Sequence, residues 1–348
     1  MKAIVLHEHG GVEQLRYEEV ETPVPGPGQL LINIKSIGLN HFDLDCREGI
    51  SGYDFNLPHV MGCEGAGVVS AAGPGVTQFK PGDRVIPILT INFGICRQRV
   101  CNCLLGRDNI CHQFDKLGVS RWGTYAEQCL IEERNTIPMP DGLSFEDAAG
   151  GQVALVTAWE MMVNKGRVRA GEEVLINAAG SGVGSACLQI AALHGARIIA
   201  TAGSDEKLER ARAAGAEVTI NYNTQDVVAE VMKATGGRGV DLVMEMVGGR
   251  VLQQSLEAVT LGGRVVVCGA HAGEQVEIDM IQFFRKEIAM SSVHLAPRAT
   301  NALVLNMIAE GRLKPIIHRR FHISEMAQAH DMLASRNFYG KIVINTER

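Results

Sequence analysis

Positive charge, long apolar runs and repetition are what this sequence lacks. Its 33 Lys and Arg are outnumbered by 39 Asp and Glu, for a formal net charge of −6. That balance argues against a nucleic-acid partner or an anionic membrane surface. No apolar run reaches the roughly 18 residues that span a bilayer. The stretch from Met1 to Gly10 has no charged segment followed by a long apolar one, so no secretory signal is read. No internal repeat or low-complexity segment breaks the chain. These absences predict a cytoplasmic protein whose partner is neither nucleic acid nor membrane. The chain has 348 residues, 46% of them hydrophobic and 21% charged. That is the composition of an ordinary globular enzyme, with length enough for two cores. The nine cysteines are then read in a reducing compartment, as metal ligands or buried thiols rather than disulfides.

The pattern changes along the chain. Up to about residue 145, short apolar runs (Ala3–Leu6, Leu30–Ile37, Gly65–Ser70, Arg84–Ile88, Tyr125–Ile131) alternate with Gly/Pro turns, which predicts a β-rich barrel or sandwich. Beyond about 150, buried strands alternate with helices. Val174–Ala178, Arg197–Thr201, Val218–Tyr222, Val240–Met244 and Arg264–Cys268 read as strands. Val183–His194, Asp205–Ala214, Gln225–Lys233 and Val251–Val259 read as helices. Such alternation demands right-handed crossovers and a parallel, doubly wound sheet, so the fold class is α/β. Ile288–Val293 adds a further strand, Thr300–Glu310 a helix capped by its Thr, Ser324–Ser335 another helix, and Lys341–Asn345 a strand returning to the first domain.

The first of the buried strands runs into Gly180-Ser181-Gly182-Val183-Gly184 and then a helix. Glycines let the backbone approach a pyrophosphate, and the helix N-terminus offers N–H groups to it. The context of strand, turn, helix and second strand is the one a dinucleotide site requires. At the tip of the second strand stand Ala202 and Gly203 rather than the carboxylate that would hold a ribose 2′-hydroxyl. Ser204, Lys207 and Tyr222 offer donors to a 2′-phosphate instead, so NADP(H) is expected over NAD(H). Asp205 and Glu206 read as first-turn residues complementing the helix dipole.

The whole chain resembles the medium-chain dehydrogenase/reductase superfamily, which holds zinc alcohol dehydrogenases and quinone oxidoreductases. The resemblance is carried by Gly38-Leu39-Asn40-His41-Phe42-Asp43, by Pro58 to Gly67, by Gly82 to Val85, by Ala178 to Gly184 and by Ile220-Asn221-Tyr222. It implies a GroES-like substrate domain built from residues 1–148 and 296–348, a Rossmann domain at 149–295, and association through the Rossmann domain as a homodimer or homotetramer. Thr157 resembles the family's Thr beside the nicotinamide. Because ligands lie at the carboxyl ends of such strands, Val247, Gly269, Ala270, Val293 and His294 are expected beside it, with Gly248.

Cys96, Cys101, Cys103 and Cys111 fall in one stretch. Four thiolates can close a tetrahedral structural zinc site. The seven residues between Cys103 and Cys111 match the family's lobe, whereas the spacing of the first three departs from it. The positions where the family carries catalytic zinc ligands hold Asn40, Cys63 and Val153, and only Glu64 is as the family has it. Val153 cannot ligate and Asn40 is a poor ligand. A substitute set from Cys63, Glu64, His41, His59 and Asp43 is conceivable.

Without that Lewis acid, hydride transfer to a quinone, an enone or another small carbonyl substrate is expected, the developing oxyanion being held by donors. The candidates are the Asn40 amide, the His41 imidazole and the Tyr53 hydroxyl, with His41 also able to give a proton. Asp43 is expected to pin the turn or orient His41. Two other readings stand beside this one: an alcohol dehydrogenase with substituted zinc ligands, and an NADPH-binding protein without turnover.

Overall fold

The computed structural model describes residues 1–91, 101–113 and 115–347. The chain forms two compact units, Met1–Val153 with Leu295–Arg348, and Ala154–His294.

In chain order the first segment supplies β1 (Lys2–Leu6), β2 (Leu15–Glu19), β3 (Gln29–Gly38), α1 (His41–Glu48), β4 (Gly65–Ala72), β5 (Arg84–Pro87), β6 (Thr90–Ile91), β7 (Asp115–Lys116), β8 (Gln128–Glu132), β9 (Thr136–Pro138) and α2 (Phe145–Gly151). The middle segment supplies α3 (Ala154–Trp159), β10 (Glu173–Ile176), α4 (Gly182–Leu193), β11 (Arg197–Ala202), α5 (Asp205–Ala213), β12 (Val218–Asn221), α6 (Val227–Ala234), β13 (Val240–Glu245), α7 (Gly249–Ala258), β14 (Val259–Val267), α8 (Met280–Arg285) and β15 (Ala289–Ser292). The last segment supplies α9 (Arg298–Ala309), β16 (Ile317–His322), α10 (Met326–Ser335) and β17 (Lys341–Asn345).

The first unit is organised by β3, whose alternating pattern buries Leu30, Ile32, Ile34 and Ile37. It pairs antiparallel with β4, β8 and β17, in a sheet of order β16-β17-β3-β4-β5-β9. The C-terminal strand is thus a neighbour of β3, as the sequence predicts. The core gathers Leu6, Ile32, Val69, Tyr125, Ile131, Phe321, Leu333 and Ile344, drawn from both ends of the chain.

The second unit is a six-stranded sheet of order β12-β11-β10-β13-β14-β15, parallel throughout. Its central strands β10, β11 and β13 are buried on both faces, which is why they read as continuous apolar runs. Strand order reverses between β10 and β13, the switch point where such sheets bind ligands. A six-residue π-helical turn, Glu160–Lys165, continues α3. Nothing in the apolar pattern of Met161 and Met162, both fully buried, distinguishes it from an α-helix. Helix α9 starts earlier than expected. Pro297 occupies its N-cap and Thr300 lies buried in the first turn. Among the described residues no helix is long and apolar enough to cross a membrane.

Candidate functional site

The glycine turn follows β10 directly. Ala178 adopts a left-handed φ of +49°, and a Cβ on Gly184 would lie 2.2 Å from the Ala178 carbonyl oxygen, so only glycine fits. Ser181 caps α4, its Oγ accepting the Gly184 N–H at 2.9 Å. Gly182 and Val183 form the first turn of that helix. A Cβ on Gly180 would sit 2.8 Å from Lys207 Cδ, and one on Gly203 would sit 2.5 Å from the Tyr222 hydroxyl. The Lys207 stem and the Tyr222 ring are thus folded over the turn and the strand tip, and a side chain at either glycine would have to displace them. Ser204 caps α5 by accepting the Lys207 N–H at 3.4 Å. Asp205, next in the chain, accepts from Asn221 Nδ2 at 2.9 Å. These residues fit a dinucleotide: close-approach glycines, a helix N-terminus, and a cationic, hydroxyl-bearing strand tip.

The carboxyl ends of β13 and β14 complete this edge of the sheet. Gly248 has a φ of +77°, and a Cβ there would lie 2.7 Å from Ala270 Cα. The Val247-Gly248 and Gly269-Ala270 turns are therefore in close contact. Val293 is buried and donates to the Val267 carbonyl at 2.9 Å, while His294, next in the chain, is exposed. Thr157 is half-buried on α3, which packs on α4.

In the first unit, Asn40 stands at the N-cap of α1. The polar residues of this motif predict a turn; the structure continues it as a helix. Asp43 Oδ2 accepts the Asn40 N–H at 2.8 Å, so Asp43 pins the start of α1. Asn40 is gripped at both ends of its amide. Its Oδ1 accepts from Lys341 Nζ at 2.8 Å, and its Nδ2 donates to Glu64 Oε2 at 2.9 Å and lies 3.9 Å from Cys63 Sγ. Lys341, at the start of β17, also donates to Glu64 Oε2 at 2.7 Å and to the Leu39 carbonyl at 2.6 Å. Glu64 is wholly buried, and its Oε1 accepts the Val153 N–H at 2.6 Å.

This donor set does not suit a catalytic zinc. The Glu64 carboxylate is committed to an ammonium, an amide and a backbone N–H. Burial first, then the charges of Asp43 and Glu64, push the Cys63 thiol well up from its usual range. A dication would also face the Lys341 ammonium. Nothing local in the sequence marks Lys341, a lysine heading an apolar strand.

Burial raises the Asp43 carboxyl to about 7, against the opposing pull of the Asn40 N–H and the Lys341 ammonium. The Tyr125 hydroxyl also bonds this carboxyl and lies 3.1 Å from His330 Nε2. Burial, with the nearby Arg47 charge, lowers His330 to about 3. His41 opens α1, its ring 6.2 Å from that of Phe338. Tyr53 is partly exposed, and its hydroxyl accepts a hydrogen bond from the buried Lys116 ammonium. That ammonium lies 3.9 Å from the Tyr53 ring centroid and 5.3 Å from that of Phe42. Lys116 was not singled out from the sequence either, since its partner lies in a distant loop.

Of the cysteine lobe, Cys101, Cys103 and Cys111 are described and Cys96 lies outside the described residues. Burial and then hydrogen bonds and charge from Cys111 and Cys101 push the Cys103 thiol up to about 12. These thiols therefore act on one another, and cysteine sulfur is the donor that a structural zinc takes. Among the described residues, no group of three or more His, Cys, Asp and Glu side chains forms a metal site.

Two family models match the chain: an alcohol dehydrogenase GroES-like domain over residues 26–141 and a zinc-binding dehydrogenase over 182–310. The quinone oxidoreductase of Rattus norvegicus is 30% identical, over 99% of this chain and 97% of its own. A 2-haloacrylate reductase of Burkholderia sp is 30% identical, over 98% of each chain. A crystal structure described as an NAD-dependent alcohol dehydrogenase superposes with a TM-score of 0.92 at 38% identity, over 99% of this chain and all of that one. The two units are thus a GroES-like domain and a Rossmann domain. The chain belongs to the medium-chain dehydrogenase/reductase superfamily of oxidoreductases.

Proposed function

We propose that this chain is an NADPH-preferring reductase that delivers hydride to a quinone, an enone or another small carbonyl-conjugated substrate without catalytic zinc. The observation that carries the reading is the Lys341 ammonium seated among Glu64, Asn40 and the Leu39 carbonyl, where the family's zinc alcohol dehydrogenases hold their metal. The names of the rat and Burkholderia relatives support the same direction. The reduced nicotinamide supplies the hydride when bound. The Rossmann unit binds it through Gly180, Ser181, Gly182, Val183 and Gly184, with Ser204, Lys207 and Tyr222 toward the 2′-phosphate. Val247, Gly269, Ala270, Val293, His294 and Thr157 face the nicotinamide. His41 and Tyr53 hold the developing oxyanion or give it a proton. Asn40, with one amide hydrogen left toward Cys63, serves first as a brace.

Cys96, Cys101, Cys103 and Cys111 hold a structural zinc that ties their loop. The free thiols suit a reducing, cytoplasmic setting. Leu261 on β14, Met280, Ile281 and Phe284 on α8, and Met290 on β15, the last strand of the sheet, are exposed, apolar surface suited to a second copy of the chain in a homodimer or homotetramer. The structure described as NAD-dependent favours the rival reading, an alcohol dehydrogenase with altered ligands. Metal analysis with a screen of NADPH consumption against quinones, enones, aldehydes and alcohols separates them. One zinc per chain, with turnover of quinones or enones that chelators leave intact, is expected. Two zincs and chelator-sensitive alcohol oxidation would refute the proposal. Tight NADPH binding with no turnover of any of these would leave a binding protein.

A further inference from the structure

Glu245, the last residue of β13, is wholly buried and forms no ion pair among the described residues. Its Oε1 accepts the N–H groups of Val247 at 2.6 Å and Gly248 at 2.9 Å. Its Oε2 accepts from Asn177 Nδ2 at 2.8 Å and the Ser255 hydroxyl at 2.8 Å. Asn177 Nδ2 also donates to Ser255 Oγ at 3.0 Å, and Asn177 Oδ1 accepts from the Thr201 hydroxyl at 3.3 Å. Asn177, Ser255 and Thr201 are themselves buried. The backbone N–H groups and the amide can only donate, so the geometry is that of a carboxylate held by three fixed donors, with the Ser255 hydroxyl, also 2.8 Å from the Val251 carbonyl, shared as a fourth. Burial and the Glu245 charge together push the neighbouring Cys268 thiol up to about 12.

Burying a carboxylate with no counter-ion is costly, and apolar packing would stabilise the sheet more cheaply. What this carboxylate does that apolar packing cannot is join two turns. Asn177 leads into the glycine turn after β10. Val247 and Gly248 form the turn after β13, on the other side of the switch point. We infer that Glu245 is a positioning residue that fixes the Val247–Gly248 turn against the glycine turn, so that the nicotinamide half of the dinucleotide meets a preformed surface. This inference rests on the dinucleotide reading proposed above.

Glu245→Gln tests it, because the new amide opposes donors on whichever side it faces. Calorimetric titration is expected to show NADPH binding weakened about tenfold or more. Binding of 2′,5′-ADP, which carries the adenosine half and no nicotinamide, is expected to stay within about twofold. Adding Asn177→Asp restores a donor–acceptor pair with the amide introduced at position 245 and is expected to recover most of the loss. Ser255→Ala removes one donor without opposing another, and is expected to weaken NADPH by about threefold and 2′,5′-ADP not at all. NADPH binding unchanged in both single variants would overturn the inference. So would equal loss for both ligands, or no recovery with Asn177→Asp. A wild-type protein that binds neither ligand would overturn the dinucleotide reading and this inference with it.

Discussion

Replacing Lys341 by methionine keeps the stem and removes the ammonium from a place where three acceptors depend on it. Glu64 would retain Asn40 Nδ2 and the Val153 N–H, yet its wholly buried charge would have no cation. The Leu39 carbonyl and Asn40 Oδ1 would each lose a donor at 2.6 and 2.8 Å. Breaking a buried pair on one side costs about 3–5 kcal/mol. At roughly 2–4 °C per kcal/mol for a domain of this size, the melting temperature of the first unit should fall by about 10 °C in scanning calorimetry. Adding Glu64→Gln removes the stranded charge, and its amide can donate to Asn40 Oδ1. The double variant should therefore recover about 2 kcal/mol or more. A Lys341→Met protein melting within about 2 °C of the parent would refute this account of the network. A double variant no more stable than the single one would do the same.

The pH dependence of stability should show two opposed slopes. Asp43 has a raised folded value of about 7, so the folded state binds the proton that the unfolded chain has released, and stability falls as pH rises from about 4 to 7. His330 has a lowered folded value of about 3, so its contribution falls as pH drops below about 6.5. Denaturation of Asp43→Asn should then show acid sensitivity alone, and that of His330→Gln the opposite slope; identical pH profiles for both would contradict the assignment. Lys207→Glu should raise KM for NADPH by about tenfold or more while leaving that for NADH nearly unchanged, and equal effects would remove Lys207 from phosphate recognition. His41→Ala should lower kcat by about a hundredfold and flatten its pH dependence, whereas an unchanged kcat across pH would exclude His41 from proton transfer.

The Rossmann unit was legible because its signals are local. Val174–Ile176, Ile198–Ala202 and Val240–Met244 are apolar runs, and Gly195 and Gly215, both at positive φ, punctuate the helices between them. The turn at Gly180–Gly184 announces its ligand class through residues adjacent in the chain. The site in the first unit is built otherwise. Asn40 and Glu64 could be matched to family positions, but nothing local shows that Lys341 meets Glu64 across 277 residues. Helix α1 was missed because Asn40-His41-Phe42-Asp43 carries the polar residues of a turn. The same residues supply a helix start when Asp43 reaches back to the Asn40 N–H. Lys116 and Tyr53 are joined by a loop contact that no periodicity encodes.

The return of β17 to β3 has a consequence for how the protein is made. Residues 1–153 hold the middle strands of their sheet long before its other side exists, and the buried Glu64 waits for a cation that arrives only with β17. The inserted Ala154–His294 unit has every strand in hand by then. During synthesis the middle of the chain can therefore close as an independent folding unit while its flanks remain open. The domain that carries the candidate proton donors is finished last, by the strand that also delivers Lys341.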